Sequence, residues 1–127
     1  MIYDIMQSEL GPILFSRNEK GLNRLHFLDS DKPFVQSEKW QKNSRDSLLK
    51  DAREQLEAYF SRELREFSLP LSLEGTSFQV RVWKALATIP YGETWSYKEL
   101  ASAIGNPKAC RAVGNANGKN KIPIILP

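Results

Sequence analysis

The 127-residue sequence holds one cysteine, Cys110, and one histidine, His26. A lone thiol excludes an intramolecular disulfide, and these two residues cannot furnish an all-Cys/His structural zinc site, so neither a metal nor another cofactor is expected. Long apolar runs are missing too. Nothing approaches the ~20 consecutive apolar residues of a membrane span, and Met1-Ile2-Tyr3-Asp4 lacks the charged and apolar regions of a signal peptide. A cytoplasmic, intracellular protein with no membrane partner is the expectation. Acidic residues are absent from Asn106 through Lys121, a stretch that contains Lys108, Arg111, Lys119 and Lys121.

What is present is an ordinary globular composition, 41% hydrophobic and 26% charged, enough for one good core or two small domains. The formal net charge of +3 hides an asymmetry. From Thr76 onward seven Lys/Arg face two acids, a net +5, whereas the remaining eleven bases and thirteen acids give −2. A basic half suits phosphate neutralisation, although a bias of this size also occurs in proteins that never meet nucleic acid.

The first half reads as a small α+β layer. Residues Ile2 to Met6 alternate, Gly11-Pro12 breaks the pattern before Ile13-Leu14-Phe15-Ser16, and Asn18-Glu19-Lys20-Gly21 leads into Leu22 to Leu28. These runs predict three strands in an antiparallel meander. Asp29 to Gln36 is polar and contains proline, so a loop is expected. Leu48, Leu49, Ala52, Leu56, Tyr59 and Phe60 then recur at three- and four-residue spacing, which predicts an amphipathic helix covering one face of the sheet. Phe67 to Leu73 alternates and is either a further strand or the crossing between halves. No catalytic constellation appears here, and His26 is assigned to packing or surface.

The second half opens with Thr76, a helix cap, and a helix from about Ser77 to Thr88 that is expected to bury Phe78, Val82, Trp83 and Leu86. Ser96 caps the next helix with Glu99 as its capping-box partner, and Gly105 with Pro107 ends that helix and begins another. This is a helix-turn-helix pattern, whose second helix commonly enters a DNA groove. Ala109, Ala112, Gly114 and Ala116 keep the second helix slim. Such residues admit close approach to a narrow groove, or simply tight packing against the first helix. Asn117 to Asn120 reads as a polar turn, and Ile122 to Leu126 as a buried, strand-like run.

Several blocks, in order and at matching spacing, carry a resemblance: Gly75-Thr76-Ser77-Phe78-Gln79-Val80-Arg81-Val82-Trp83-Lys84-Ala85-Leu86, Ile89-Pro90-Tyr91-Gly92-Glu93-Thr94, Ser96-Tyr97, Leu100-Ala101, Arg111-Ala112-Val113-Gly114, Ala116-Asn117-Gly118 and Ile122-Pro123-Ile124-Ile125-Leu126-Pro127. Together they resemble the signature of the O6-alkylguanine-DNA alkyltransferases. The resemblance implies an α+β protein, with an N-terminal antiparallel sheet and covering helix in residues 1–73 and a mainly helical alkyltransferase and DNA-binding domain in residues 74–127. It implies direct DNA repair, in which an alkyl group moves irreversibly from O6-alkylguanine to a protein cysteine, so that each molecule acts once.

The expected partner is double-stranded DNA containing O6-alkylguanine, entered from the minor groove with the target nucleotide rotated out of the stack. By the resemblance, Tyr97, Lys98, Ala109, Cys110, Arg111, Ala112 and Gly114 form the DNA-contacting set. Arg111 fills the vacated stack or clamps a phosphate, and a planar guanidinium suits the first role better than lysine would. Tyr97 assists rotation of the target phosphate; apart from the resemblance, a tyrosine at a helix start reads as a half-buried staple. Asn120 couples the helix-turn-helix to the segment after it through hydrogen bonds to backbone, with Lys121 standing where the family commonly has proline.

The acceptor itself is not among these residues. Cys110 precedes Arg111 on the recognition helix, and no activating histidine or acid follows it. In the family the run corresponding to Ile122–Pro127 continues into Cys-His-Arg, its last proline being the first residue of a Pro-Cys-His-Arg motif, so the nucleophile is expected immediately after Pro127. The 127 residues as they stand are expected to be inactive in transfer and to leave an exposed apolar end at Ile122 to Leu126 unless a partner covers it. Three readings stay open: a shortened member of the family, a non-catalytic binder of alkylated DNA resembling the alkyltransferase-like proteins, and a longer molecule with a cysteine directly after Pro127. A monomer is expected where the tail is present.

Overall fold

Alternation of apolar and polar residues along the first third produces three paired strands. The computed structural model describes residues 2–29 and 40–126. Strands β1 (Ile2–Ser8), β2 (Gly11–Asn18) and β3 (Gly21–Phe27) form the expected antiparallel meander, with Asp4 opposite Phe15 and Phe15 opposite Leu25. A fourth strand, β4 (Gln41–Lys42), pairs in parallel with β1 and makes the sheet mixed, in the order β3-β2-β1-β4. Two exposed polar residues carry no period-2 signal, which is why this strand is invisible in the sequence. Beyond Asp29, the loop expected to Gln36 lies outside the described residues.

Helix α1 (Ser47–Phe60) starts where the Asp46 side chain accepts the Leu49 amide at 3.0 Å. Its buried stripe of Leu48, Leu49, Ala52 and Leu56 packs on the meander. On that side Asp4 is 1% exposed, and its carboxylate receives Arg53 Nη2 at 2.6 Å, the Ile5 amide at 2.8 Å and the Ser44 hydroxyl at 3.1 Å. A buried carboxylate needs such partners, because an isolated charge in an apolar layer is strongly disfavoured. The alternating segment Phe67 to Leu73 is not a full strand. Only Leu71 bridges to Leu22, between the Leu22 amide on the Pro70 carbonyl and the Ser72 amide on the Leu22 carbonyl, each 2.8 Å.

Backbone contacts divide the chain into two compact units, Met1–Ser72 and Leu73–Pro127. The second unit is helical: α2 (Ser77–Leu86), α3 (Tyr97–Ala103) and α4 (Cys110–Gly118) pack pairwise around Val82, Trp83, Leu100 and Val113. Trp83 ties α2 to α4, its indole N–H donating to the Ala116 carbonyl at 3.0 Å. With the sheet unit, this makes the α+β fold that the sequence implies.

Five local expectations are corrected. Phe78 is half-buried rather than buried, since it sits in the first turn of α2, before the helix enters the core. Pro107 lies in the turn and does not begin α4, whose N-cap is Ala109. Asn117 and Gly118 complete α4 instead of forming a turn. Ile122 to Leu126 is a tight turn, not a strand: the Leu126 amide reaches the Ile122 carbonyl at 3.0 Å, and Ile124 takes φ 76°, a left-handed conformation unusual for a β-branched residue. Nor is that run exposed. Ile122, Ile125 and Leu126 are buried. Among the described residues, no helix is long and apolar enough to cross a membrane.

Candidate nucleic-acid interface

The interface begins with how α3 starts. Ser96 Oγ accepts the Glu99 amide at 3.1 Å while Glu99 Oε1 accepts the Ser96 amide at 3.3 Å, a reciprocal capping box. Both end donors are satisfied locally, so Tyr97 and Lys98 occupy the first positions of the helix with their side chains exposed.

α3 then ends in a Schellman motif. Gly105, at φ 79°, allows the Asn106 amide to reach the Ala101 carbonyl and the Gly105 amide to reach the Ser102 carbonyl, each at 3.0 Å. A side chain with Cβ would disfavour that φ. The Ile104 carbonyl at this end accepts Arg81 Nη2 from α2, placing a cation where the helix dipole is negative. Arg81 thereby fastens the turn of the helix-turn-helix. Sequence reading missed this, because the two residues are 23 apart and no local pattern joins them.

α4 starts differently. Its N-cap, Ala109, makes no side-chain cap hydrogen bond, so the first amides of the helix are left to solvent or to an anion. Lys108 precedes it, and Arg111 lies in its first turn; both are exposed. Cys110 and Ala112 are exposed, Ala109 is half-buried, and Val113 and Ala116 are buried on the opposite side. Among the described residues, Lys98, Lys108 and Arg111 belong to neither of the two ion pairs, Arg17–Asp46 and Arg53–Asp4.

The structure brings Tyr97 against α4. A Cβ built on Gly114 would lie 3.0 Å from Tyr97 Cε2 and 3.1 Å from Cδ2, so the ring rests on the backbone of the helix at Gly114. Arg111 stands three residues earlier on the same side, and residues at that spacing are neighbours on a helix surface. Tyr97, at 47% exposure, and Arg111 therefore share one solvent-facing side of the α3–α4 pair.

Asn120, just past α4, bonds twice to backbone. Its Nδ2 donates to the Leu126 carbonyl at 2.9 Å, and its Oδ1 accepts the Ile122 amide at 2.8 Å. These bonds close the turn that holds Ile124 in its left-handed conformation. His26 is part of β3, half-buried in the sheet unit. Among the described residues no group of three or more His, Cys, Asp or Glu side chains could hold a metal ion.

An exposed cationic helix start, a planar guanidinium, a phenol and small residues between them suit a phosphate backbone with a base step beside it. Two family models match this chain. The 6-O-methylguanine DNA methyltransferase ribonuclease-like domain covers residues 1–73, and the 6-O-methylguanine DNA methyltransferase DNA binding domain covers residues 77–127. The methylated-DNA–protein-cysteine methyltransferase of Methanosarcina barkeri is 53% identical over 127 residues, covering 100% of this chain and 79% of the relative. The constitutive protein of that name from Bacillus subtilis is 42% identical over 129 residues, covering 98% and 76%. Among solved structures, Mycobacterium tuberculosis OGT in complex with DNA is similar at TM-score 0.88 and 45% identity, covering 100% of this chain and 75% of that one.

Proposed function

Since the chain belongs to the 6-O-methylguanine DNA methyltransferase family, we propose that it repairs DNA directly, moving an alkyl group from O6 of guanine to a cysteine of the same protein. The observation that carries the reading is the shared exposed side of α3 and α4, where Tyr97 and Arg111 stand beside the uncapped start of α4. DNA is the partner. Residues 74–127 form the domain that meets it, residues 1–73 form a separate domain with no part in the chemistry, and the protein acts as a cytoplasmic monomer.

In this reading the first amides of α4, with Lys98 and Lys108, hold the phosphates on either side of the lesion. Tyr97 turns the target phosphate, and Arg111 occupies the stack that the rotated guanine leaves, its plane substituting for the lost base-stacking contact. Ala109, Cys110, Ala112 and Gly114 keep α4 narrow enough to enter the minor groove. Asn120 and the turn it closes fix the backbone from Ile122 to Leu126, and in this reading the acceptor cysteine follows that turn, directly after Pro127.

The transfer is a displacement at the alkyl carbon. A thiolate forms the C–S bond as the C–O6 bond breaks; the electron pair stays on the base, which takes up one proton to become guanine. The thioether is stable, so turnover ends with one event.

Intact mass before and after incubation with a duplex containing one O6-methylguanine tests this. The expected result is a protein heavier by one CH2, a methyl group having replaced the thiol hydrogen, with unmodified guanine restored in the DNA. An unchanged mass accompanied by preferential binding to the alkylated duplex would favour the non-catalytic binder instead; an unchanged mass with no such preference would overturn both readings.

A further inference from the structure

The small residues of α4 do not all serve the same purpose. Ala116 is buried in the core and Ala112 is exposed, but Gly114 is half-buried in the middle of the helix. Glycine at a helix interior is less favourable than alanine, because it loses more backbone freedom. No positive φ is involved, because Gly114 has ordinary helical geometry, unlike Gly105. The space around it supplies the reason. The three nearest atoms to an added Cβ all belong to the Tyr97 ring: Cε2 at 3.0 Å, Cδ2 at 3.1 Å and Cζ at 3.6 Å.

We infer that Gly114 is a positioning residue for Tyr97. Its missing side chain makes a seat on which the phenol ring lies one helical turn from Arg111, so the two groups reach DNA as a unit. Tyr97 is 47% exposed, so core packing does not enclose its ring on all sides and several rotamers are open to it. The seat limits that freedom before DNA arrives, and groups held in place beforehand lose less entropy on binding. This inference rests on the reading of the α3–α4 face as the one that rotates the alkylated nucleotide. It also gives Gly114 a role distinct from simple slimness toward the groove.

A double-mutant cycle in the full-length protein decides it, with Gly114→Ala, Tyr97→Ala and the pair measured against a duplex carrying O6-methylguanine beside a 2-aminopurine reporter. In the parent background Gly114→Ala is expected to lower the preference for alkylated over unmodified duplex by about tenfold and to weaken the 2-aminopurine signal of nucleotide rotation. In the Tyr97→Ala background the same substitution is expected to change neither. Equal losses in both backgrounds would overturn the inference, because Gly114 would then act on DNA without the tyrosine. No loss in the parent background would overturn it as well.

If Gly114→Ala fails to fold alone, recovery of folding in the Tyr97→Ala background supports the seat, and failure there overturns it. The underlying reading is judged separately. If Tyr97→Ala alone leaves both the preference and the reporter signal unchanged, the assignment of this face is what fails.

Discussion

Asp4 shows how much one residue depends on its neighbours. Burial raises the affinity of its carboxyl for a proton, but the Arg53 hydrogen bond, the Ile5 amide, the Ser44 hydroxyl and the Arg53 charge outweigh burial and hold the group below the usual carboxylate range. A carboxyl depressed in the folded state contributes stability that is complete above its unfolded value, about 3.9, and drains away as pH falls through the lower folded value. The stability difference between the parent and Asp4→Asn should therefore be largest near neutrality and should narrow below about pH 4, as read by urea unfolding at a series of pH values. A difference that stayed constant into acid would mean that the Asp4 charge is not what Arg53 stabilises.

Among the elements, α3 is held at both ends by different means, the capping box at Ser96 and the Schellman turn with Arg81 on the Ile104 carbonyl. Ser96→Ala should cost about 1 kcal/mol in thermal or denaturant unfolding and loosen the turn that carries Tyr97 and Lys98. The start of this helix was legible from Ser96 and Glu99 alone, as were the three meander strands and the stripe of α1, because caps and short-period patterns are local. What the sequence did not disclose was set by distant partners. β4 exists only because β1 offers an edge, Leu71 extends only beside Leu22, and Ile122 to Leu126 turns because Asn120 bonds both its ends. Read alone, that last apolar run has strand composition. The candidate site divided in the same way: its residue types were proposed from the family motifs, whereas the Tyr97 ring on Gly114 and the Arg81 fastening required the fold.

Over the whole molecule the charge asymmetry becomes a statement about binding. With +5 from Thr76 onward and −2 elsewhere, the salt dependence of DNA affinity should arise in the second unit. Replacing Lys98 or Lys108 by Gln should each lower the slope of log affinity against log salt by about 1, while Lys20→Gln and Lys50→Gln, in the first unit, should leave it unchanged. Equal effects from both pairs would assign the phosphate contacts to the wrong unit. The tryptophan pinned between α2 and α4 adds an optical consequence. Of the three tryptophans only Trp83 is buried, with its indole N–H already bonded to a carbonyl of α4. Its fluorescence is accordingly expected to be the bluest component of the intrinsic emission, and an event that lifts α4 from α2 should appear as a red shift, a label-free gauge of whether α4 stays docked when DNA is added.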